Sequence, residues 1–201
     1  MVVAFPTVQA NRTSYPALEV KTLLREMHDF SFYSEQATAW KKILDEDPKD
    51  QYAWYNYYLA NRYGEMTING LGTGTPHENL VQEIIERNGD FMSVESMLKR
   101  LDTELPNSFI RYYIEAAAGE RTLPQERYLE LITKAHELNP HFAEIYDGFV
   151  THYELVGDSV GRKYFNEMWY QSNDYSQGML SYYYNVLMTL EENAIYLTYG
   201  D

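Results

Sequence analysis

The chain has no cysteine, which excludes disulfides, thiolate metal ligands and a cysteine nucleophile. It is also poor in positive charge. Lys and Arg total 16 against 30 Asp and Glu, and the net charge of −14 has no basic run to offset it. A protein that follows a phosphate backbone neutralises it with clustered basic side chains, so nucleic acid is excluded as a partner. No stretch approaches the roughly 20 consecutive apolar residues that a membrane helix needs, so no membrane insertion is expected.

What is present is aromatic. Phe, Trp and Tyr make up 15% of the residues, and 20 of the 201 residues are Tyr, a side chain that buries its ring and keeps a polar tip for the surface. With 45% hydrophobic residues the chain has the means to form a core. Residues 1–13 read as a flexible N-terminus or the remnant of an export signal. Met1–Ala10 is apolar, and Val8 and Ala10 are small residues at the two positions a signal peptidase reads. That reading favours an extracytoplasmic location, in the periplasm or cell envelope.

Helical signals follow one another along the chain. Pro16 opens a predicted helix over 17–30, with Val20, Leu23, Leu24 and Met27 at i, i+3, i+4 and i+7 spacing. Further helices are expected over 35–45, 51–63, 93–104, 108–118, 124–138, 142–156, 159–171 and 175–192. Asp47-Pro48, Pro106 and Asn139-Pro140 end helices because proline pushes the preceding residue out of the α region. Gly64, Gly119 and Gly157 suit the left-handed turn that follows a helix.

The prolines carry a period. Pro106 and Pro140 are 34 residues apart, and 34 more reaches Asp174 in the next turn. Counting 34 back from Pro48 reaches Ser14. Pro48 and Pro106 are separated by 58, which is one period plus 24. The extra residues are assigned to an insert over about 65–90: a glycine-rich loop, then Thr75-Pro76-His77-Glu78, a capping box opening a short helix. After Pro48 come Trp54, Tyr57, Tyr58 and Asn61 at six, nine, ten and thirteen; after Pro140 come Tyr146, Phe149, Val150 and Tyr153. Pro106 is less regular, with Tyr112 followed by Glu115, Ala116 and Gly119.

This spacing resembles the tetratricopeptide repeat, in degenerate form, over residues 14–192; the family's glycine ten after the proline is replaced by Tyr58, Ala116, Val150 and Tyr184. The resemblance implies an all-α solenoid of about nine to ten helices whose concave face binds polypeptides. The family's groove positions fall on Lys21, Arg25, Tyr52, Tyr55, Arg62, Tyr113, Asp147 and Glu154. The set runs from basic through aromatic to acidic and would suit an extended peptide of opposite polarity. Lys21 and Asn56 fall near the places where some family members clamp a C-terminal carboxylate. Arg25, Ile110 and Ile114 depart from that clamp, and it is not expected here.

Catalytic signals fall short. Gly70–Gly74 follows no strand and lacks the Lys-Ser/Thr of a phosphate loop. Gly157-Asp158-Ser159 sits at a helix–helix turn, where Asp158 or Ser159 serves as an N-cap. His77-Glu78 lacks the second histidine of a zinc helix, and His136, His141 and His152 read as scattered surface side chains. Tyr183 and Tyr184 are expected in the core. No cofactor, no metal site and no enzymatic activity are expected, and the chain reads as a protein- or peptide-binding scaffold. The C-terminal 193–201 alternates like a strand and ends in Gly200-Asp201. It is similar to the lead-in of a Gly-Asp-Asn-Asp segment in some bacterial envelope proteins of unassigned function. The alternative expectation is therefore an accessory or regulatory domain of a larger cell-envelope enzyme or assembly, whose active part lies beyond the C-terminus.

Overall fold

The computed structural model describes residues 16–23, 25–68, 90–192 and 194 of the chain. The export-signal remnant, Ser14, Leu24, residues 69–89 of the insert with its capping box, and all but Ala194 of the C-terminal extension lie outside the described residues, while Glu65–Ile68, expected as the start of the glycine-rich loop, are helical. Among those described, eight α-helices are present and no strand. They are α1 (Phe30–Glu46), α2 (Gln51–Ile68), α3 (Val94–Glu104), α4 (Phe109–Gly119), α5 (Gln125–Leu138), α6 (Tyr146–Leu155), α7 (Ser159–Gln171) and α8 (Gln177–Met188). A short 3-10 turn, Ala143–Ile145, leads into α6. The described residues fall into two compact units, one holding 16–20 with His28–Met97, the other Lys21–Met27 with the residues from Leu98 onward.

The first unit is a helix pair. Asp29 starts α1, its carboxylate accepting from Phe32 N at 3.1 Å, and Asp50 starts α2 by accepting from Tyr52 N and Ala53 N. The two helices pack on one another and bury Tyr33, Ala37, Trp40 and Leu44 from α1 with Trp54, Tyr57, Tyr58 and Leu59 from α2. Trp54, Tyr57 and Tyr58, at six, nine and ten after Pro48, are thus core residues. Trp54 also donates its indole N–H to the Pro48 carbonyl at 2.9 Å, satisfying the polar edge of a buried ring.

The predicted helix over 17–30 does not form. Residues 16–23 and 25–29 are irregular, and the helix begins at Phe30. The backbone of this segment is engaged by side chains distant in sequence. Leu18 N donates to Gln36 Oε1 and Val20 N to Asn56 Oδ1, each at 2.7 Å, and the Trp40 indole donates to the Leu18 carbonyl at 2.9 Å. Helical spacing of apolar residues is outweighed by these three tertiary bonds. A second irregular segment, 90–93, is held in the same way: Met92 N donates to Asn61 Oδ1 at 2.7 Å, and the Tyr57 hydroxyl to the Asp90 carbonyl at 2.6 Å.

Gly64 does not end its helix either, since α2 continues to Ile68. Its role is proximity: a β-carbon there would sit 2.7 Å from Phe91 Cε1, so a side chain would push the ring away. Gly157, by contrast, has φ +74 and turns the chain between α6 and α7, with Asp158 capping α7 through Val160 N and Gly161 N.

In the second unit α4 packs on α5, α5 on α6, and α6 on α7. Segment onsets recur at Phe109, Ala143 and Gln177, 34 residues apart, and again at Gln125 and Ser159. Leu101, Ile110, Ile114, Leu131, Ile132 and Ile145 are buried, and Phe149 stacks on Phe165 at 4.2 Å between centroids. His136, expected at the surface, is half-buried beside those rings, 5.5 Å from Phe149 and 5.4 Å from Phe165, and desolvation lowers its pKa. Tyr183 and Tyr184, expected in the core, are exposed. Helix α8 buries none of its residues.

Glu115 stands where the repeat spacing calls for a large apolar residue, and the structure gives the reason. It accepts from Arg111 on its own helix and from Arg127 of α5 at 2.7 Å, while Arg111 also bonds Asp102 of α3 at 2.9 Å. Partial desolvation raises the Glu115 pKa, but the two guanidinium groups outweigh it and hold the carboxyl below its usual range. An ionic chain thus ties three helices where an apolar contact would otherwise serve.

Two stability measurements check this account. Asn56→Ala leaves the buried Val20 N–H without an acceptor and is expected to cost about 1–3 kcal/mol in urea denaturation. Glu115→Ala is expected to cost roughly 1–2 kcal/mol at neutral pH, the solvent-screened value of such a charged pair of bonds. Because the folded pKa of Glu115 is depressed, that stabilisation exists above the unfolded carboxyl pKa and disappears on acidification through the folded value. Wild type and Glu115→Ala should therefore converge at low pH.

Candidate functional site

The sequence-derived contact residues divide between the two units. Tyr52, Tyr55 and Arg62 lie three and seven residues apart on α2 and so share a face of that helix. Tyr52 is half exposed, with its ring edge against Trp40 at 5.6 Å. Tyr55 is half-buried. Arg62 is also half-buried, its guanidinium donating to the Tyr58 hydroxyl at 3.3 Å. Between them Leu59 is fully buried, so the accessible part of this face is the end that carries Tyr52.

The remaining five residues belong to the second unit and do not form one surface. Tyr113 is buried, 6% exposed, with its ring edge on Phe142 at 4.9 Å. It packs in the core and presents nothing to a partner, which corrects its assignment as a contact. Glu154 is exposed and paired with Arg162. Lys21 is paired with Glu26 at 3.1 Å, and Arg25 donates to the Asn173 carbonyl. These two line a cleft of about 350 Å³ with Asn173, Tyr175, Ser176 and Gln177. The Asn56 side chain is buried and donates to the Tyr52 carbonyl while accepting from Val20, so it is not available as a clamp.

Asp147 has the most unusual setting. It lies in the first turn of α6 and lines a cavity of about 290 Å³ formed by the end of α4, by α5 and by α6. Glu120, Tyr128, Gly148, Thr151 and His152 line the same space, with Leu123, Leu129 and Leu155 as its apolar wall, and no lysine or arginine. The carboxylate accepts from Gly148 N at 2.7 Å. Burial nevertheless pushes its pKa up to about 6, with Glu120 and Asp174 adding like charge. The same field acts on Tyr175, whose hydroxyl is pushed up to about 12 by burial first, then by Asp174 and Asp147. The buried Nδ1 of His152 has no hydrogen-bond partner among the described residues.

Repeat spacing locates Asp147 but not this cavity, because Tyr128 and Leu129 come from α5, a helix outside the positions the resemblance marks as groove-lining. Carboxyls held where their charge is disfavoured cluster at functional sites, which makes this cavity the candidate. Among the described residues no group of three His, Cys, Asp or Glu is placed to hold a metal ion, and no helix is long and apolar enough to cross a membrane. No protein-family model, curated protein or solved structure matches this chain.

The strain on Asp147 is measurable. Its folded pKa lies above that of an unfolded aspartate, so stability from this group is complete below about pH 4 and is lost as pH rises through about 6. Asp147→Asn is therefore expected to unfold like wild type near pH 4. At pH 8 it should be more stable, by up to about 3 kcal/mol for a shift of this size, in paired thermal or urea denaturation.

Proposed function

We propose that this protein is a non-enzymatic binding scaffold of tetratricopeptide-like helix pairs, taking an extended peptide or protein segment. The observation that carries the reading is the 34-residue recurrence of segment onsets from Phe109 to Gln177. Stacked helix pairs create extended concave surfaces, which is why such architectures serve recognition. Half-exposed tyrosine suits that role, since a ring with two rotatable bonds gives contact area at low entropic cost. The acidic surface favours partners carrying positive charge.

Selection of displayed peptides on the folded protein tests this. Enriched sequences should bind wild type, and either Tyr52→Ser with Tyr55→Ser or Asp147→Asn should weaken them, with helical circular dichroism retained. A selection that enriches nothing over the blank surface would sink the scaffold reading.

A further inference from the structure

We propose that the cavity between α4, α5 and α6 is a specificity pocket that takes one cationic side chain, lysine or arginine, of a bound peptide. This rests on the scaffold reading and adds the chemistry of what is recognised. The cavity, about 290 Å³, has room for a long side chain. Its polar end carries two carboxylates, Asp147 and Glu120, with the Tyr128 hydroxyl, and none of its lining residues is a lysine or arginine. Its wall is apolar, from Leu123, Leu129 and Leu155, and Gln125, Thr151 and Leu155 are exposed and leave the mouth open.

Each class of occupant meets this lining differently. An anion is repelled by both carboxylates. A wholly apolar group would cover Asp147 without compensating its charge, which is costly. A lysine or arginine lays its methylene stem along the leucines and brings its charged head to the carboxylates. It also supplies the countercharge that the burial of Asp147 leaves wanting.

The test uses the full chain, labelled with nitrogen-15, and titrates short glycine–serine peptides, blocked at both ends, with a central Arg, Lys, citrulline or Glu. The Arg and Lys peptides should shift the Gly148 and Thr151 amides saturably. Citrulline, which keeps the shape of arginine without its charge, should bind roughly tenfold more weakly, as should the Arg peptide to Asp147→Asn or Glu120→Gln. Agmatine, a free guanidinium, should bind more weakly than the Arg peptide; equal affinity would overturn a peptide source. Citrulline binding as tightly as arginine, or affinity unaffected by Asp147→Asn, would overturn the pocket. Display-selected peptides that bind wild type and Asp147→Asn equally would also discard the pocket, yet leave the scaffold standing. A display selection that enriches nothing removes both.

Discussion

Two buried asparagines on one helix hold the first unit together. Asn56 and Asn61 each donate to the carbonyl four residues back on α2, at 2.9 and 2.6 Å, and each accepts an N–H from an irregular segment, Val20 or Met92. Five residues of helix turn through about 140° beyond a full revolution, so the two amides address opposite flanks of α2. One helix thereby fixes two straps. Each amide uses its oxygen and one of its two N–H groups, so neither its oxygen nor its nitrogen is left without a partner. Gly64 belongs to the same design. Removing its side chain lets Phe91, one residue from Met92, come down onto α2.

The second unit solves the same problem with different chemistry. Arg111, Glu115 and Arg127 link α3, α4 and α5 through charge, and aromatic stacking around Phe149 and Phe165 joins α6 to α7. Near Asp147 this balance is missing: a carboxyl is desolvated with like charges around it and only backbone N–H groups, those of Gly148 and of Asp147 itself, for support. The contrast between Glu115, held low by two guanidinium groups, and Asp147, pushed up, shows that the unit pairs its charges with care elsewhere.

Much of the helical order was legible in local chemistry. Pro106, Asn139-Pro140 and the Gly157-Asp158 turn set their helix boundaries to within a residue or two, because backbone restriction at proline and capping at aspartate are local effects. The failures are non-local. Nothing in residues 16–29 announces that Gln36, Trp40 and Asn56 will take over their backbone groups, and the apolar spacing there reads as a helix. Tyr183 and Tyr184 match core positions of the period, but burial also requires a neighbouring helix to pack against them, and periodicity cannot supply one. For the candidate site, spacing placed the buried Tyr113 among the contacts, since position along a helix does not say whether a loop residue such as Phe142 will cover it.

The strap bonds also reorder what regular and irregular mean for local opening. The Val20 amide lies in coil, yet it is buried and bound to a core asparagine, so its exchange requires the strap to leave α2. Helix α8 is regular but buries nothing, so its amides are guarded by little beyond their own hydrogen bonds and the Ser176 cap. By this logic slowly exchanging protons are expected in a segment with no secondary structure, and early opening in a well-formed helix.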